Sequence, residues 1–214
     1  MPVNTPLPVD IQAALKSLDS SLHHKNNDWD ALLVSARNII NSLERSSFFD
    51  DPKQREQKVY TVEVLQRLAY HDVDAGGVAD VADWSLERWL QLHQTYPEDV
   101  AVSKGIGQWW LSRAQPCLSR IHAIDGSTEG TSGSRHGSDS LSFRSSMDER
   151  QVDLASQTSH SSEEAEQRLH TADYVEARGL LLPAVDYLRR AVVQAISQKL
   201  LSGSLLVTVS CPAE

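Results

Sequence analysis

Residues 84–114 read WSLERWLQLHQTYPEDVAVSKGIGQWWLSRA, and this stretch decides the fold. Large apolar residues recur at helical spacing on both sides of Tyr96-Pro97: Trp84, Leu86, Trp89, Leu90 and Leu92 before it, and Ile106, Trp109, Trp110 and Ala114 after it. Spacings of three and four place side chains on one face of an α-helix. Proline lacks the backbone N–H and steers the preceding residue away from helical geometry, so the first helix is expected to end before Tyr96-Pro97.

The same grammar extends upstream. Residues 1–9 hold three prolines and are expected to be extended. Asp10 is placed to cap a helix with Ile11, Leu15, Leu18 and Leu22 on one face, ending in His23-His24-Lys25-Asn26-Asn27. Asp28 caps a second, whose broad stripe of Trp29, Leu32, Leu33, Ala36, Ile39, Ile40 and Leu43 implies packing on two neighbours. Asp51-Pro52 reads as a cap and first-turn proline opening a third helix to about His71, with Tyr60, Val64, Leu65 and Leu68 inside. Downstream, Pro116 is expected to break or kink the fifth helix, with Leu118, Ile121 and Ile124 buried beyond it.

The composition then changes. Between Gly126 and Ser162, 12 of 37 residues are serine, without an apolar period, and such a stretch does not bury enough surface to offset the entropy of ordering. Ser161-Ser162-Glu163-Glu164 has a capping-box spacing, leading to an apolar helix from about Leu180 to Leu201 that Gly203 should end. The expected organisation is an extended segment over 1–9, a helical domain over 10–125, a disordered serine-rich linker over 126–160 and a helical hairpin over 161–214. The fold class is all-α. No apolar run approaches the roughly 20 residues that span a bilayer, and no basic-then-apolar leader opens the chain, so an intracellular protein, cytoplasmic or nuclear, is expected. A formal charge of −9, with only short basic spots such as Arg189-Arg190, argues against nucleic acid as a partner.

Two fragments carry a family resemblance. Trp89 stands eight residues before Pro97, and nine residues after that proline come Ile106-Gly107, then Trp110. Ala184, Leu188 and Ala191 form a small-large-small ridge. Both are similar to the tetratricopeptide repeat, with departures at Ser103, Ser119 and Pro116 and no full repeat. The resemblance implies antiparallel helical hairpins that present a surface to a protein or peptide partner, without catalysis; an irregular helical bundle is the alternative. A repeat array ordinarily ends in a polar capping helix, and the apolar last helix here has the look of an interrupted array.

Candidate chemistry is sparse. Asp72, Asp74, Asp80 and Asp83 take positions one, three, nine and twelve of a twelve-residue stretch with Gly77 at position six, as in a calcium-binding EF-hand loop. Gly76 replaces the fifth-position ligand and Asp83 the bidentate glutamate, and the competing reading is an acidic loop in which Asp80 or Asp83 caps the next helix. No phosphate loop, nucleophile elbow or dinucleotide fingerprint occurs, so no catalytic residue and no cofactor is assigned. The leading expectation is a non-catalytic interaction scaffold, with a calcium-binding module at 72–83 or an enzyme of unrecognised type as the alternatives.

Overall fold

The computed structural model describes residues 7–23, 28–129 and 170–200, without the side chains of 125–129. The described residues form six helices and no strand. They are α1 (Val9–Leu22), α2 (Trp29–Glu44), α3 (Arg55–Ala69), α4 (Ala79–Thr95), α5 (Val100–Glu129) and α6 (Ala172–Ser197). The expected linker over 126–160 lies largely outside the described residues, as does the capping box at Ser161.

Helix ends test the reading of caps. Asp28 caps α2 by accepting a hydrogen bond from the Ala31 N–H at 3.3 Å. Asp10 does not cap α1: the helix begins at Val9, and Asp10 lies in its first turn, where a carboxylate still faces the positive end of the helix dipole. The third helix begins at Arg55 instead of at Pro52, because Gln54 takes a left-handed conformation (φ 63°). Lys58 accounts for that late start. Its buried ammonium donates to the carbonyls of Phe49 and Asp51, tying the preceding loop to α3. At the other end of the chain, Lys199 (φ 56°) ends α6 before Gly203 is reached. The Leu200 N–H bonds Ala195 O at 2.8 Å and the Lys199 N–H bonds Ile196 O at 3.1 Å, the paired bonds of a Schellman cap.

The chain divides into two compact units, Met1–Pro116 with Leu180–Glu214, and Cys117–Gly179. In the first unit α1 pairs with α2 and α3 with α4. The first half of α5 pairs with the second half of α6, running antiparallel: Ser103 Oγ donates to Gln194 Oε1 at 3.0 Å, and Gly107 lies against Leu188. Three hairpins result, and residues 130–169 connect the two helices of the third. Helices α3 and α5 are parallel neighbours, joined in sequence order by Arg55–Asp99, Gln66–Gly105 and Tyr70–Trp109. Helices α2 and α4 are likewise joined by Arg37–Asp80 and Glu44–Trp84. The first helices of the three hairpins begin at Val9, Arg55 and Val100, each about 45 residues after the last.

The core is continuous from Leu15 and Leu18 through Val62, Leu65 and Leu68 to Trp89 and Ile106, all 2% exposed or less. Helix α5 runs through Pro116 without stopping, and Ile124, expected inside, is 56% exposed. In the second unit, Arg120 bonds Asp173 at 2.8 Å and Glu176 at 2.9 Å beside the buried Cys117, whose thiol is pushed up by burial first and by Glu176 second.

Candidate functional site

The parallel packing of α3 against α5 leaves a groove of about 450 Å³ between them. Its floor is apolar: Val73, Leu111 and the edge of Trp89, the last wholly buried, with an indole N–H that bonds Gln66 Oε1. Gln66 in turn donates to Gly105 O at 3.2 Å, so one amide ties three helices together beneath the groove. A close approach makes this possible. A Cβ on Gly105 would stand 2.5 Å from the Trp89 ring, so only glycine lets α5 reach α4 there.

The walls are polar. From α3 come Glu63 and Arg67, with Tyr70 at its C-cap, and from α5 come Lys104, Gln108 and Ser112, spaced four apart on one helix face. Arg67 is held by Asp19 of α1 at 2.8 Å. Burial raises the Glu63 carboxyl above its ordinary range, against the opposing pull of Lys104 and Arg67. Neither Lys104 nor Gln108 has a hydrogen-bond or ion-pair partner among the described residues. Tyr70 is 7% exposed, and its hydroxyl lacks a hydrogen-bond partner. Burial pushes its phenol well above the ordinary value, with Arg113 opposing and Asp83 reinforcing. A buried hydroxyl without a partner costs free energy comparable to a lost hydrogen bond.

The residues singled out in the sequence distribute differently. Trp89 and Ile106 are fully buried core, and Trp110 packs on that core edge-to-face with Trp109 at 5.0 Å. Pro97 offers its carbonyl to Gln194 at 3.1 Å. Ala184, Leu188 and Ala191 line the buried face of α6, and Leu188 meets Gly107, where a Cβ would stand 2.6 Å from its Cγ. The two resembling fragments thus interlock as the two helices of one hairpin, although more than 70 residues separate them. The helix crossed by Gly107 is α6, not the Cys117–Ile124 stretch that a regular repeat would supply.

The four aspartates of the calcium-like stretch are not gathered. Helix α4 begins at Ala79, so the last five positions of the would-be loop are helical. Asp80 pairs with Arg37 through two bonds of 2.8 and 3.2 Å, and Arg37 holds its carboxyl below the usual range. Asp72 accepts from the Ala75 N–H at 3.1 Å. Gly77 (φ 72°) closes the turn, where a Cβ would meet Ala69 O at 2.5 Å. Among the described residues no group of three or more His, Cys, Asp or Glu side chains is placed to hold a metal ion. Nor is any described helix long and apolar enough to cross a membrane.

Sequence reasoning missed the groove. Lys104, Gln108 and Ser112 read as an ordinary polar helix face, and nothing local shows that α3 lies beside it. No family model, curated protein or solved structure matches the chain.

Proposed function

We propose that the chain is a non-catalytic interaction scaffold that holds an extended segment of a protein partner in the groove between α3 and α5. The observation that carries this reading is the lining of the groove, which Lys104 and Gln108, without hydrogen-bond partners among the described residues, share with Tyr70, whose buried hydroxyl also lacks one. Apolar floor, regularly spaced polar wall and an unmet hydrogen-bonding group are the features of a site that fixes a peptide backbone and reads its side chains. The tetratricopeptide reading belongs with this proposal. Three consecutive hairpins and the Gly107–Leu188 crossing favour it, whereas a spacing near 45 residues departs from that family's period of about 34. An intracellular location, cytoplasmic or nuclear, goes with the same reading.

The test is a fluorescence-anisotropy screen of labelled extended octapeptides against the full chain. Binders should weaken on Lys104→Glu and on Tyr70→Phe. The second variant discriminates: removing a buried hydroxyl without a partner should leave stability unchanged or raise it, while binding falls. Peptides that bind equally well to both variants would remove the groove as the site.

A further inference from the structure

A different surface, on the last helix, carries a partner chemistry of its own. In α6 the side chains of Leu182 (65% exposed), Val185 (61%), Val193 (60%) and Ile196 (56%) all lie open. With the exposed Arg189 they follow one another at intervals of three, four, four and three residues. At about 100° per residue these five positions fall within an arc of about 80°, a stripe one helix wide. The opposite side of α6 is the one buried against α5, through Ala184, Leu188, Ala191 and Ala195. Intervals of three and four are the seam along which one α-helix receives another.

The charge in the middle of the stripe says which helix. Arg190 is already bound to Asp186 at 2.6 Å and lies over the Tyr187 ring, whereas Arg189 has no such partner among the described residues. The stripe is also symmetric about Arg189. An antiparallel second copy that buried all four apolar residues would set Leu182 on Ile196 and Val185 on Val193, and Arg189 on its own copy. A parallel pair in register also sets Arg189 against its own copy. Like charges meeting in a desolvated seam exclude the wrong partner, so self-association is disfavoured at this surface.

We propose that the exposed stripe of α6 docks an amphipathic helix of another protein, with an apolar seam interrupted at its centre by a carboxylate that pairs with Arg189. This surface is separate from the α3–α5 groove, and each proposal stands or falls without the other.

The probe is a fluorescein-labelled five-turn helical peptide with Leu and Ile along its seam and one central Glu, compared with the same peptide carrying Lys there. Titrated with the full chain, the Glu peptide should bind about tenfold more tightly. Arg189→Glu should invert that order, Val185→Asp should abolish binding of both peptides, and Lys104→Glu in the groove should change neither affinity. Equal affinities, or an order that Arg189→Glu does not invert, overturn the proposal. So does a chain that sediments as a dimer and is dissociated by Val193→Asp, since a second copy then covers the stripe. Binding that emerges only in a Leu206→Asp variant assigns the stripe to residues 204–209 of the same chain, and equally overturns it. Arg189 is exposed and makes no described contact, so its variant carries the test even if Val185→Asp unfolds.

Discussion

Helix α3 and the second half of α6 belong to the same compact unit, and they differ in what surrounds them. In α3, buried residues point in nearly every direction: Val59, Thr61, Val62, Val64, Leu65, Gln66, Leu68 and Ala69 all have little or no exposure, and even Lys58 is covered. Helices α1, α4 and α5 enclose it. The α6 segment has the more apolar sequence, yet only its Ala184–Ala195 ridge is fully covered, and Leu182, Val185, Val193 and Ile196 stand open. Hydrophobic residues are thus not sorted by how apolar their own helix is. A modestly apolar helix becomes the centre when neighbours close on all sides, and an apolar helix at the margin keeps a bare face. The first arrangement secures stability, and the second leaves surface to offer a partner.

Truncating one leucine on each helix measures that contrast directly. Leu65→Ala, at a fully buried site in α3, should cost about 2–5 kcal/mol in urea unfolding, whereas Leu182→Ala on α6 should stay within about 0.5 kcal/mol. Comparable losses at the two sites would mean that the α6 stripe is covered in solution.

The crossing of α5 on α6 comes next in size. A Cβ at Gly107 stands 2.6 Å from Leu188 Cγ and 3.1 Å from its backbone N, so Gly107→Leu should destabilise by about 1–3 kcal/mol. Gly179, with nothing within 4 Å, should respond in the opposite sense, Gly179→Ala gaining up to about 1 kcal/mol in helix propensity. A stabilised Gly107→Leu variant would detach α6 from the third hairpin.

Asp99 links α3 to the start of α5 and sets a pH dependence. Its Oδ1 accepts from the N–H groups of Ala101 (2.8 Å) and Val102 (3.2 Å), capping α5, while Oδ2 receives Arg55. Burial alone would raise this carboxyl, but Arg55 and the two N–H groups outweigh it and hold it below its ordinary value. A carboxylate depressed in the folded state contributes stability above its unfolded pKa, and loses it as pH falls through the folded value, below about 4. Asp99→Ala should cost about 0.5–2 kcal/mol at pH 7, and the difference from the parent chain should shrink in melts at pH 3.

The smallest effect is expected at the exposed end of α6. Lys199 holds a left-handed conformation that glycine adopts without a Cβ penalty, so Lys199→Gly should stabilise by up to about 1 kcal/mol. A loss of stability there would mean that the α6 terminus does not end as a Schellman cap.

How much was legible follows from the range of each interaction. The Asp28 cap, the end of α4 before Tyr96-Pro97 and the Leu15–Leu18 face are local patterns, and they appear where expected. The Asp99 cap was also local and went unread, hidden behind Pro97. Misreadings arose where a distant group intervened. The start of α3 moved because Lys58 reaches back to the loop, and Gly105, unnoticed in the sequence, proved to be the glycine against Trp89.

The sequence by itself determined that the described chain is helical, where most of its helices lie and which residues form their apolar faces, because helical period and capping act within a few residues. Only the tertiary structure decided that α6 closes the third hairpin across residues 130–169, that α3 is enclosed, and that Tyr70, Lys104 and Gln108 share one groove. Those outcomes depend on which faces meet. A face records that it must be covered, and the partner that covers it is chosen by shape and charge brought together from far along the chain.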